Sequence, residues 1–249
     1  MGTPVRAVLF DYGHTLVDFR RTEEALLAAY EEVRARIEAA LYIDAPEVGH
    51  LIDRVAGEVD RRVGESYEAR RMEELDLVAT FDEVLSATLG LTVPADVVRH
   101  VVALDHSAYS KTITVSEETL AVLRELRGRG LSLGLVSNVT LLPDSMRADL
   151  DALGILPLLD ATTFSSEVGT RKPDEAIFRS ALGALGAEAA DAVFVGDRLL
   201  DDVGGAQAVG MRTVLTREFR QEEPRHDVQP DAVIERLGEL PGALDRLAD

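Results

Sequence analysis

Apolar residues run almost without interruption from Val5 to Phe10 (VRAVLF), a β-rich stretch that suits a strand buried on both faces of a parallel sheet. A turn is expected over Asp11–Thr15. Beyond Asp18 the period changes. In EEALLAAYEEVRARIEAAL and MEELDLVATFDEVLSATLG apolar positions recur at helical spacing, and the pattern up to Ser110 predicts about four helices and no strand. Farther on, β-rich runs alternate with helical segments, and the candidate strands are Leu131–Val136, Ala161–Phe164, Ala192–Val195, Arg212–Leu215 and Ala232–Ile234. The clearest helix follows Lys172, with Pro173 at its first position, Asp174 and Glu175 in its first turn and Gly186 to close it.

Strands that alternate with helices argue for right-handed βαβ units. The expected fold class is therefore α/β, a doubly wound, Rossmann-like parallel sheet built from residues 1–17 and 111–249, with an all-helical insertion over 18–110.

Composition narrows the chemistry. The 249 residues hold 26 Lys plus Arg against 45 Asp plus Glu, a formal net charge of −19, and residues 18–110 alone hold 20 acids against 10 arginines. Neither part is a basic arm, so no nucleic-acid partner is expected, and the same field disfavours an anionic membrane. With no cysteine there is no thiolate nucleophile, disulfide framework or Cys-based metal site. The N-terminal stretch lacks the basic region and long apolar run of a signal peptide, which leads us to expect a cytoplasmic protein. A hydrophobic fraction of 46% supports a substantial core.

Ligands of an open parallel sheet bind beyond the carboxyl ends of its strands. The predicted strands are followed there by Asp11-Tyr12-Gly13-His14-Thr15, by Ser137-Asn138, by Arg171-Lys172-Pro173, and by Gly196-Asp197 with Asp201-Asp202. Converging carboxylates with one lysine form a hard-oxygen set that suits Mg²⁺, and Mg²⁺, a lysine and a hydroxyl together can bind phosphoryl oxygens and spread their charge. A carboxylate at the end of the first strand can then serve as nucleophile.

The four segments VLFDYGHTLVD, LGLVSN, RKPDEAIF and VFVGDRLLDDVGGAQAVGM resemble, in that order, the four motifs of the haloacid dehalogenase-like hydrolases, and the helical insertion resembles that superfamily's C1 cap, a lid over the site. The resemblance implies a Mg²⁺-dependent phosphatase of a small phosphomonoester that works through an aspartyl-phosphate. Asp11 would be nucleophile and metal ligand, the Gly13 carbonyl a second ligand, and Asp197 a third. Asp202 would support the metal or reach Lys172, with Asp201 as the competing assignment. Ser137 would bind the phosphoryl group, Asn138 would lie beside it, and Lys172 would neutralise the nucleophile and the developing charge. Thr15 is a further candidate for the substrate pocket, although a structural turn or cap role competes.

One position departs from the pattern. Family phosphatases usually carry an acid–base Asp two residues after the nucleophile, and Gly13 stands there. General acid–base catalysis is worth roughly 10²- to 10⁴-fold, so unactivated esters should turn over slowly unless His14, the next residue, substitutes. Two other readings stay open. One is an attenuated or non-catalytic binding protein, which Gly13 favours. The other is a metal-free 2-haloacid dehalogenase, against which the acidic fourth motif counts. The paired Arg61-Arg62 and Arg70-Arg71 could meet an anionic substrate tail, or simply pair with neighbouring acids.

Overall fold

The computed structural model describes residues 4–248; Met1–Thr3 and Asp249, which the expected core boundaries include, lie outside the described residues. The chain divides into two compact units. One is formed by the described residues among Met1–Asp18, Thr114–Val139 and Met146–Asp249, the other by Phe19–Ile113 with Thr140–Ser145.

The chain enters through β1 (Ala7–Phe10), every residue of which is fully buried. It then builds the helical unit. Helix α1 (Glu23–Leu41) starts where the Thr22 hydroxyl accepts the Ala25 N–H, with Glu23 and Glu24 favourably placed in the first turn, and it ends at Tyr42 in the left-handed region. Helix α2 (Val48–Leu51) continues through a π-helical turn, Ile52–Ala56, into α3 (Gly57–Glu68). Helix α4 (Leu77–Leu89) is capped by the Asp76 carboxylate on the Ala79 N–H and terminated by Gly90 at φ 69°, where a side chain would be strained. Helix α5 (Ala95–Ser110) follows Pro94. Their inward faces make an apolar core around Tyr30, Ile37, Leu51, Phe81, Leu85 and Val101, on which Leu141 and Leu142 also pack.

The other unit resumes with α6 (Glu117–Gly128), β2 (Ser132–Ser137), α7 (Pro143–Ala152), β3 (Ala161–Phe164) and α8 (Ser165–Val168). It finishes with α9 (Glu175–Leu185), β4 (Ala192–Gly196), α10 (Gly205–Ala208), β5 (Arg212–Thr216), β6 (Ala232–Ile234) and α11 (Leu240–Ala248). The sheet is wholly parallel in the order β3-β2-β1-β4-β5-β6, with Leu9 level with Gly134 on one side and Phe194 on the other. Ala7, Leu9 and Phe194 pack with Ile177, Phe178 and Ala181 of α9, while the alternate residues Val8, Phe10, Val193 and Val195 are fully buried as well. Burial on both faces explains why these strands read as continuous apolar runs. No helix among the described residues is long and apolar enough to cross a membrane.

One local expectation is corrected. Pro173 does not open α9; the helix begins at Glu175, and Asp174 is its cap, its carboxylate accepting the Ala176 N–H at 2.8 Å. A carboxylate that satisfies a free helix N–H sets the start more strongly than a proline that merely tolerates the first turn. Gly186 does close the helix, at φ 61°.

Candidate active site

Strand order reverses direction at β1 and β4, which is where an open parallel sheet leaves a crevice beyond its strand ends. Asp11 follows β1, Asp197 follows β4, and the Asp11 N–H donates to the Val195 carbonyl at 2.9 Å, so the two carboxylates leave the sheet as neighbours. Oxygens of Asp11, Asp197 and Asp202 lie within 4.8 Å of one another, and all three residues are buried. Lys172 reaches them from the segment between α8 and α9. Its Nζ donates to Asp11 Oδ1 and to Asp202 Oδ1, each at 2.6 Å, and lies 5.4 Å from the centre of the Phe194 ring.

Burial alone would depress the Lys172 ammonium, but Asp11 and Asp202 outweigh it and hold its pKa above the ordinary lysine value. Asp197 behaves oppositely. Burial, and then the charges of Asp11 and Asp202, push its carboxyl up to about 7. Arg220 opposes that rise, with its Nε 2.8 Å from Asp197 Oδ2. The approach is an ion pair rather than an aimed hydrogen bond, and among the described residues no hydrogen bond reaches that buried oxygen. A carboxylate oxygen free of hydrogen bonds beside a second carboxylate is a donor set that fits a hard divalent cation.

Asp202 is committed elsewhere. Its Oδ2 accepts the backbone N–H of Asp197 at 3.1 Å and of Arg198 at 2.9 Å, while Oδ1 takes Lys172. It therefore ties the turn after β4 to the lysine. Gly196 makes this possible, since a Cβ there would overlap the Asp202 carboxyl. Asp201 points away to an ion pair with Arg198 at 3.4 Å, so Asp202 is the acid that joins the cluster.

The turn after β1 is built on the Tyr12 carbonyl, which accepts the N–H groups of Thr15, Leu16 and Val17. Gly13 lies half-buried in it. His14 sits at φ 61°, its Nδ1 3.4 Å from Asp18 Oδ1. Burial, and then the charge of Arg220, lower its pKa. Thr15 caps no helix; it is fully buried, and its hydroxyl donates to Asp11 Oδ2 at 3.2 Å. Each Asp11 oxygen thus has a donor, one from Thr15 and one from Lys172. Ser137 ends β2 and is buried near its tip. Asn138 grips the main chain of Lys172, its Oδ1 accepting the Lys172 N–H at 2.7 Å and its Nδ2 donating to the Lys172 carbonyl at 3.0 Å. The side chain expected beside a phosphoryl group is therefore occupied in fixing the lysine. In the helical unit, Arg61 pairs with Glu58 and Glu65, and Arg62 with Glu58 and Glu83.

Sequence reasoning missed the segment after β5. Arg220 reaches Asp197, and Glu222 Oε2 accepts the Leu199 N–H at 2.8 Å, so this loop is fastened to the turn after β4 at two points. The only signal was positional, a cation and an acid past the carboxyl end of a strand, within a run of charges that reads as a solvated loop.

Residues 5–210 match the profile of the hydrolase family described as haloacid dehalogenase-like hydrolase, and the chain belongs to that family. Among characterised relatives it is 31% identical to a glyceraldehyde 3-phosphate phosphatase of Methanopyrus kandleri over 247 residues, 98% of this chain and 99% of the other. It is 29% identical to a ribulose-1,5-bisphosphate 5-phosphatase of Halopiger xanaduensis, covering 94% of this chain and 97% of the other. Among solved structures, a 2-haloacid dehalogenase from Pseudomonas syringae superposes with a TM-score of 0.67 at 26% identity, covering 98% of this chain and all of the other.

Proposed function

We propose that this chain is a Mg²⁺-dependent phosphatase of a small phosphomonoester, with Asp11 as nucleophile. The observation that carries the reading is the contact of Asp11 Oδ1 with Lys172 Nζ at 2.6 Å, beside the buried carboxylates of Asp197 and Asp202. The full-length likeness to two phosphatases supports it. Asp11, the Gly13 carbonyl and Asp197 would hold Mg²⁺, with Asp202 in support, and the bound ion would offset charge on the phosphoryl oxygens.

In this reading an Asp11 oxygen bonds to phosphorus as the ester P–O bond breaks, leaving an aspartyl-phosphate and an alkoxide that takes up a proton. Water then attacks phosphorus, phosphate leaves and the carboxylate is restored. Lys172 spreads the charge, Asn138 and Asp202 hold Lys172 in place, and Ser137 donates to a phosphoryl oxygen. Gly13 offers no proton, so the acid–base role falls to His14, which Asp18 flanks.

The test is phosphate release from p-nitrophenyl phosphate and a panel of triose and pentose phosphates, with and without Mg²⁺. Turnover that needs Mg²⁺, disappears in Asp11→Asn and rises in Gly13→Asp is the expected result. A folded parent that releases no phosphate from any of them overturns the reading. An unchanged pH–rate profile in His14→Ala removes that residue from the mechanism while leaving the rest. The likeness to a 2-haloacid dehalogenase supports a second reading, displacement of halide by Asp11. Halide release from 2-chloropropionate without Mg²⁺ would favour it.

A further inference from the structure

Within the α/β unit, Arg220 is a cation that lies outside the four motifs and yet reaches the carboxylate cluster. It lies past the end of β5, its side chain 31% exposed, with Nε 2.8 Å from an Asp197 oxygen that accepts no hydrogen bond among the described residues. The loop that carries it is held in register, because Glu222 two residues on accepts the Leu199 N–H. Its charge also helps lower the pKa of His14, after burial.

Four groups share the buried cluster. Asp11 and Asp202 divide Lys172 between them, which leaves Asp197 with Arg220 as its own cation. Arg220 faces an oxygen of a carboxylate that belongs to the cluster able to hold a hard cation, and an ion pair without a directed hydrogen bond is easier to displace than a bidentate one. Building on the proposed Mg²⁺ site, we propose that Arg220 is a built-in competitor for the divalent cation, a positioning residue that holds the Asp197 carboxylate until the metal replaces it and so sets the metal affinity of the site.

Two effects then act in the same direction. The metal must break the Arg220–Asp197 pair, and a positive charge remains close to the incoming dication. An ordinary orienting role gives the opposite sign, because removing an orienting group loosens a metal ligand. The sign of the change in affinity therefore decides between them.

The experiment is titration of the purified full chain with MgCl₂ alone, read by calorimetry and by the Mg²⁺-induced rise in Tm, for the parent, Arg220→Gln, Arg220→Lys and Arg217→Gln. Arg217 belongs to the same loop region but pairs with Glu235, so its variant removes an equal charge away from the carboxylates. Arg220→Gln should bind Mg²⁺ more tightly by on the order of tenfold, and Arg220→Lys, which keeps the charge, by less. Arg217→Gln should match the parent. A parent that binds no measurable Mg²⁺ beside an Arg220→Gln variant that does would support competition in its strongest form. Unchanged or weaker binding in Arg220→Gln, with a parent that binds, overturns the competitor role and leaves the phosphatase reading standing. Absence of binding in parent and variants alike overturns both.

Discussion

Both units bury acidic side chains, and they handle them differently. In the helical unit Asp105 lies on α5 beside the apolar core, where the Tyr30 hydroxyl donates to its Oδ1 at 2.9 Å. Burial pushes its carboxyl pKa up, and the partner is a neutral phenol. In the α/β unit three carboxylates cluster around one ammonium, and the cation keeps its charge because two acids flank it. The first arrangement is one buried hydrogen bond within a helix-packing interface. The second is a mutually dependent set of charges, and a buried set of that kind is costly to break and weak as a source of net stability.

The comparison breaks most visibly at Lys172. Lys172→Ala removes the donor of both Asp11 and Asp202 and leaves two buried carboxylates without it, so urea unfolding should show a loss of about 3–5 kcal/mol. Added Mg²⁺ should recover part of that loss if it binds only the native state. A loss under about 1 kcal/mol would show that the cluster is protonated or hydrated and not held by charge pairing. In the helical unit Tyr30→Phe removes one donor and keeps the ring, and should cost about 1–3 kcal/mol in the same assay. If the two variants cost the same, the contrast between the units fails.

How much of this was legible in the chain follows the same division. The strands were readable because burial on both faces forces runs such as AVLF and AVFV, and the residues after them are the ones the structure brings together. Asp201 and Asp202 competed in the sequence, and the geometry separates them, since Asp202 turns back onto Lys172 while Asp201 pairs with Arg198. What stayed hidden depends on contacts without a local pattern. Asn138 looked like a ligand-facing polar residue, yet its partner is a main chain 34 positions away. The π-helical turn at Ile52–Ala56 leaves no trace in IDRVA, and the grouping of residues 140–145 with the helical unit pairs segments far apart in sequence. Arg220 was lost among neighbouring charges because a linear reading cannot tell a solvated arginine from one that turns inward.

A gentler probe of the site uses pH. Asp197 has a folded-state pKa raised to about 7 by burial and its acidic neighbours, so between its unfolded value and that point the native state binds more protons than the unfolded chain. Its contribution is fully present below the unfolded pKa and is lost as pH rises through the folded one. Without added metal, Tm should therefore fall between about pH 4 and pH 7, and Asp197→Asn should flatten that slope. Mg²⁺ should stabilise the parent more at the upper end, where protons no longer compete for the carboxylate. An identical slope in parent and Asp197→Asn would place the titration on another group.

The smallest effect is expected where the ionic contacts look densest. On α3 Arg61 bridges Glu58 and Glu65, and hydrogen bonds from Arg61 and Arg62 hold the Glu58 carboxyl down to about 2. Taken by contact alone, this group rivals the Lys172 cluster. Arg61 is exposed and Glu58 only half-buried, however, so water and salt screen the attraction and the long side chains give up rotamer freedom to meet. Arg61→Gln should leave Tm unchanged within the scatter of the measurement, at low and at moderate salt alike. A clear drop that vanishes as salt is added would mean that the surface of the helical unit holds charge as firmly as the interior of its neighbour. In that case burial would not be what separates the site's charges from those of the rest of the molecule.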